Sequence, residues 1–104
     1  MPPLPNPALK PGVETTPERR LCPLYRVLIH NDDVTPMDFV VRVLQEVFHL
    51  GLLRSTQVML EAHLKGVALV VTEPLERAEF HVDQTRSLAR SRSYPLTLSI
   101  EPDA

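Results

Sequence analysis

The sequence predicts a single small α/β domain in the order βααβαβ, a three-stranded antiparallel sheet with helices on one face, behind a proline-rich tail. Three observations carry this. Leu96 to Ile100 alternates apolar and polar residues without a break, the pattern of a half-buried strand. Met37, Val40, Val41, Val43, Leu44, Val47 and Phe48 recur at helical spacing. Seven of the eleven prolines (Pro2, Pro3, Pro5, Pro7, Pro11, Pro17 and Pro23) fall in the first 24 residues, where they remove the backbone donors that helices and sheets need.

The chain of 104 residues allows one domain. Residues 1–24 read as a flexible extension with little to bury, and residues 25–104 as the folded core. A core of that size buries about 60–65% of its unfolded surface, which argues against a large internal active-site cavity. The tail lacks the apolar run of a signal peptide, and no stretch approaches the roughly 18 apolar residues of a membrane span. The net charge of −2, with no Lys/Arg stripe, disfavours nucleic acid. Arg86, Arg90 and Arg92 read instead as partners of a helix C-terminus. Cys22 is the one cysteine, so no disulfide framework or cysteine-based zinc site can form within the chain. A reducing, cytoplasmic setting and a monomer fit this composition.

The first strand, Tyr25 to His30, places Tyr25, Val27 and Ile29 on one face and Arg26, Leu28 and His30 on the other. Thr35-Pro36-Met37-Asp38 reads as a helix start, with Thr35 as N-cap, Pro36 at the first helical position and Asp38 closing a capping box. Asp38, Arg42, Gln45 and Glu46 fall on the outer face of this helix, and Gly51 suits a left-handed turn after it. The second helix is expected from about Leu53 to Lys65, with a stripe of Val58, Met59, Ala62 and Leu64, and a stop at Gly66. Met59, Ala62 and His63 share one face. Val67 to Thr72 is a β-branched strand. The third helix, about Pro74 to Arg92, is expected to bury Leu75, Ala78, Val82 and Leu88 or Ala89 before Tyr94-Pro95 breaks it.

The corner between the first strand and helix concentrates an amide and two carboxylates, Asn31, Asp32 and Asp33, beside a helix entry. Such a corner should hold a cation. Asx residues there also bond their own backbone, and a histidine beside Met59 and Ala62 is also an ordinary core residue. The residues alone leave these readings open. A metal-dependent hydrolase built on Asp32, Asp33 and His63 is one alternative. A purely structural interaction domain, like the small α/β ribosomal stalk domain with this element order, is another.

Tyr25-Arg-Val-Leu-Ile-His-Asn-Asp-Asp-Val-Thr-Pro-Met-Asp-Phe-Val40 resembles the opening signature of ClpS, the adaptor of the ATP-dependent Clp protease. Thr-Gln-x-Met-Leu at Thr56 to Leu60, Ala-His-x-x-Gly at Ala62 to Gly66, and Pro-Leu-x-x-x-Ile-Glu at Pro95 to Glu101 are similar to the same family at the same spacing. The resemblance implies a non-enzymatic module without cofactor or metal. It would bind N-degrons, peptides with a free α-amino group and a bulky first residue (Leu, Phe, Tyr or Trp), and deliver them to the ClpA unfoldase of the ClpAP protease. By the same resemblance Asn31, Asp33 and His63 hold the α-amino group, while Asp32 and Thr35 contact the first peptide units. Met37, Val40, Met59, Ala62 and Leu96 line the side-chain pocket, and Glu76 and His81 dock ClpA. Ala62 stands where many members carry Val, which implies a slightly wider pocket.

Overall fold

The computed structural model describes residues 22–104. All but the last three residues of the expected proline-rich extension lie outside them. Three strands, β1 (Leu24–His30), β2 (Val67–Pro74) and β3 (Thr97–Pro102), form one antiparallel sheet in the order β2-β1-β3. Three helices, α1 (Met37–Glu46), α2 (Leu52–Lys65) and α3 (Leu75–Ser91), complete the expected βααβαβ order. The central strand buries Val27 and Ile29, as the alternation requires, while Arg26, Leu28 and His30 stay only partly covered. Val40, Val43 and Leu44 of α1, Val58 and Ala62 of α2, and Ala78, Val82 and Ala89 of α3 close over that face. These packed apolar groups supply most of the drive to fold.

A bulge breaks the β1–β2 register. Val27 pairs with Val71 and Leu28 with Leu69, leaving Val70 as the extra residue. An inserted residue reverses which alternate positions face inward. Ala68 is buried before the bulge, Val70 within it and Glu73 after it. The inward-turned Glu73 carboxylate meets the His81 ring, Nδ1 to Oε2, at 2.8 Å.

Several local expectations need correction. The capping box does not form: the N-cap of α1 is Pro36, extended at ψ 145°, and no side chain caps the helix. Asp38 Oδ1 instead accepts from the Phe39 N–H at 3.0 Å. The left-handed residue after α1 is His49, φ 58°, whereas Gly51 is the extended N-cap of α2. Leu64 is 78% exposed and Leu75 38%, so neither belongs to the core, while of Leu88 and Ala89 it is Ala89 that is buried. Leu64 lies nearly opposite the buried line of Ser55, Val58 and Ala62 on α2. Phe39 is buried, its ring edge-on to Tyr94 with centroids 4.9 Å apart.

Candidate functional site

The corner from Asn31 to Pro36 is built on one carboxylate. Asp32 Oδ1 accepts from the backbone N–H of Val34 at 2.8 Å and of Thr35 at 2.7 Å, and Oδ2 accepts from the Thr35 hydroxyl at 2.9 Å. This is an Asx turn closed by a threonine. Burial pushes the Asp32 carboxyl upward, but the two backbone donors and the hydroxyl together outweigh it and hold the group below its ordinary range. Asp32 is therefore a charged group committed to the turn.

The corner is tied to α2 from the other side. Gly66 ends that helix in the left-handed region, φ 92°, and its carbonyl accepts from the Asn31 N–H at 3.0 Å. The C-terminal end of α2, where a helix carries partial negative charge, is thereby brought to the end of β1. His63 stands in the last turn of that helix, exposed to solvent.

Between corner, α1, α2 and the start of β3 lies a recess lined by Ile29, His30, Asn31, Asp32, Thr35, Met37, Val40, Met59, Ala62, His63 and Leu96. Its buried floor is Ile29, Val40, Ala62 and Leu96. Met37, 45% exposed, and the half-buried Met59 also line it. Asn31, Asp32, Thr35 and His63 supply its polar groups. Among the described residues no lysine or arginine lines it, so its polar side is rich in acceptors. The recess encloses about 310 Å³ of atom-free space, part of it open to solvent. As a cavity it measures only about 20 Å³, so the space is narrow.

Nine of the residues singled out from the sequence thus meet around one hollow: Asn31, Asp32, Thr35, Met37, Val40, Met59, Ala62, His63 and Leu96. Asp33 is exposed on the same corner and does not line it. Sequence reasoning missed Ile29 and His30. Ile29 was legible as the last inward residue of a strand that runs into the corner. His30 turns its ring to the sheet's other face, where Nε2 lies 2.7 Å from Ser99 Oγ. Glu76 is exposed in the first turn of α3. His81 is largely covered, held by Glu73 and flanked by the rings of Phe48 and Phe80 at 5.2 and 5.8 Å. Among the described residues no three His, Cys, Asp or Glu side chains converge as metal ligands. No described helix is long and apolar enough to cross a membrane.

Residues 21–99 match the family described as ATP-dependent Clp protease adaptor protein ClpS. An ATP-dependent Clp protease adapter protein ClpS from Synechococcus elongatus is 46% identical over 91 residues, covering 86% of this chain and 90% of its own. The protein of the same description from Xanthomonas campestris is 47% identical over 90 residues, covering 86% and 85%. Among solved structures, Agrobacterium tumefaciens ClpS2 bound to L-phenylalaninamide matches with a TM-score of 0.75 and 36% identity, over 78% of this chain and 98% of that one.

Proposed function

The chain belongs to the ClpS family of ATP-dependent Clp protease adaptor proteins, and from that premise we propose that its recess reads the first residue of N-degron proteins. The reading is of a free α-amino group followed by Leu, Phe, Tyr or Trp. The observation that carries it is the recess itself, apolar below and acceptor-rich above. The L-phenylalaninamide held by the Agrobacterium relative supports it, since that ligand presents an α-ammonium beside a benzyl group.

An α-ammonium has three donors and a pKa of about 7.7–8.0, so it is mostly charged near neutral pH. In this reading the Asn31 amide oxygen and an imidazole nitrogen of His63 accept two of them directly. The Asp33 carboxylate, outside the lining, contributes through a bridging water and its charge. Thr35 and the turn fixed by Asp32 face the first peptide units. The side chain enters between Met37, Val40, Met59, Ala62 and Leu96. Unbranched thioethers repack at little cost, which lets a narrow space open for rings or a branched chain. Each charge-assisted hydrogen bond contributes about 1.5–3 kcal/mol, and burying a Leu or Phe side chain contributes about 1.5–3 kcal/mol. Neither contribution suffices alone, which makes recognition conditional on both.

The protein then acts as a non-enzymatic adaptor in the cytoplasm, handing bound proteins to a ClpA-type unfoldase. Glu76 offers an exposed carboxylate for that docking, and His81, on the same helix, is held by Glu73. Fluorescence anisotropy with Phe-headed, Gly-headed and N-acetylated Phe-headed peptides tests the recess. Binding of the first alone is expected. An acetylated peptide that binds as tightly as the free one would sink the proposal.

A further inference from the structure

Met37 and Met59 are the two methionines among the described residues, and both line the recess. They are not equally protected. Met37 opens α1 at 45% exposure, while Met59 is half-buried in the middle of α2. A thioether needs no deprotonation to react. Its sulfur lone pair attacks one oxygen of a hydroperoxide, the O–O bond breaks, and the products are a sulfoxide and water, or an alcohol from an organic peroxide. Sulfur loses two electrons and the peroxide gains them. The product carries a strong acceptor oxygen where a flexible apolar group stood.

That change falls at a sensitive place. Val40, Ala62 and Leu96, which line the recess with Met37, have no side-chain donor to meet a sulfoxide oxygen. A first side chain entering past it would strip water from the new dipole without replacing the hydrogen bond, at a cost. We propose that Met37 is a peroxide-sensitive modification site, whose sulfoxide closes the recess to apolar side chains until a methionine sulfoxide reductase restores it. The inference rests on the recess being the side-chain pocket. It adds that recognition is switched off by hydroperoxide and recovered by a thiol-dependent reductase.

The test uses the full chain carrying Cys22→Ser, because Cys22 is an exposed thiol that peroxide also attacks. Cys22 precedes β1, a seven-residue strand from the corner, or about 23 Å away. The protein is treated with hydrogen peroxide, the added oxygen is located by peptide mass mapping, and affinity for a Phe-headed peptide is measured before and after. Met37 should gain oxygen ahead of Met59, and the dissociation constant should rise by about tenfold or more. Both sulfoxide reductases with a dithiol should reverse the loss. In Met37→Leu on the same background, peroxide should leave that variant's own affinity where it began. Oxygen found on Met59 alone, a Met37 sulfoxide that binds as before, or an equal loss in Met37→Leu would overturn the assignment. A protein that fails to bind before peroxide refutes the pocket reading instead, and the mapped oxygen still reports whether Met37 is the reactive thioether.

Discussion

Asp32 spends both carboxylate oxygens on its own turn, through Val34, Thr35 and the Thr35 hydroxyl. Its folded pKa is depressed, so its contribution to stability is present above the ordinary carboxylate range. That contribution is lost as pH falls through the lowered folded value, a window below about pH 4. Asp32→Ala should lower unfolding free energy at neutral pH by about 1–2 kcal/mol, the range for losing a carboxylate cap, and flatten the acid limb of a urea titration series. An unchanged acid limb would mean the turn does not need the charge. Asp33 makes the opposite case. It is exposed, so Asp33→Asn should leave the urea midpoint alone and weaken Phe-headed peptide binding by about twofold to fivefold, the range for an exposed charge. A loss of stability in that variant would show that Asp33 also holds the corner. The sequence displayed two adjacent carboxylates, but not which one the backbone would claim. That choice depends on the turn that places the donors of Val34 and Thr35 over one side chain.

At the scale of elements, a left-handed residue follows each of the three helices, His49, Gly66 and Ser93, and one is a glycine. Gly66 ends α2 at φ 92° and carries the carbonyl that receives Asn31. A Cβ there would meet nothing within 4 Å, so a substitution suffers only backbone strain. Gly66→Ala should cost about 1–2 kcal/mol, and Gly66→Asn less, read as shifts in urea midpoint. His49, at φ 58°, bears that strain in the native protein. His49→Gly should therefore cost less than an ordinary loop substitution to glycine, or even stabilise. A loss beyond about 1 kcal/mol would mean its side chain holds the loop by contacts that outweigh the strain. The strands and the three helices were legible because their periodicities are long and regular. The α1–α2 connection was not: glycine at 51 suggested the left-handed position, yet the chain turns two residues earlier. The Leu50 N–H reaches back to Leu44 O at 3.1 Å, which fixes the turn ahead of the glycine. Glu73 was hidden for a related reason, since a bulge changes parity without leaving a glycine or proline to mark it.

For the whole molecule, the recess draws on β1, the corner, α1, α2 and the approach to β3, so its occupant touches most of a small fold. The nine residues gathered there were legible through a family resemblance spread along the chain, whereas composition and spacing left the corner open between a cation site and a self-satisfied turn. A ligand that binds only the folded state adds RT ln(1 + [L]/Kd) to stability, about 2.7 kcal/mol at a hundredfold excess over Kd. For a domain of this size each kcal/mol shifts Tm by about 4–8 °C, so L-phenylalaninamide at that excess should raise Tm by roughly 10–20 °C. N-acetyl-phenylalaninamide, which has the same ring and no charge, should raise it hardly at all. The shift from the free amine should shrink as pH rises past about 8, because a peptide-like α-ammonium loses its proton there and with it one donor and the charge that the acceptors meet. Equal shifts for the two amides would leave the ring as the whole of the recognition and remove the amine from it, and growth of the shift with pH would reverse the assigned polarity of the rim.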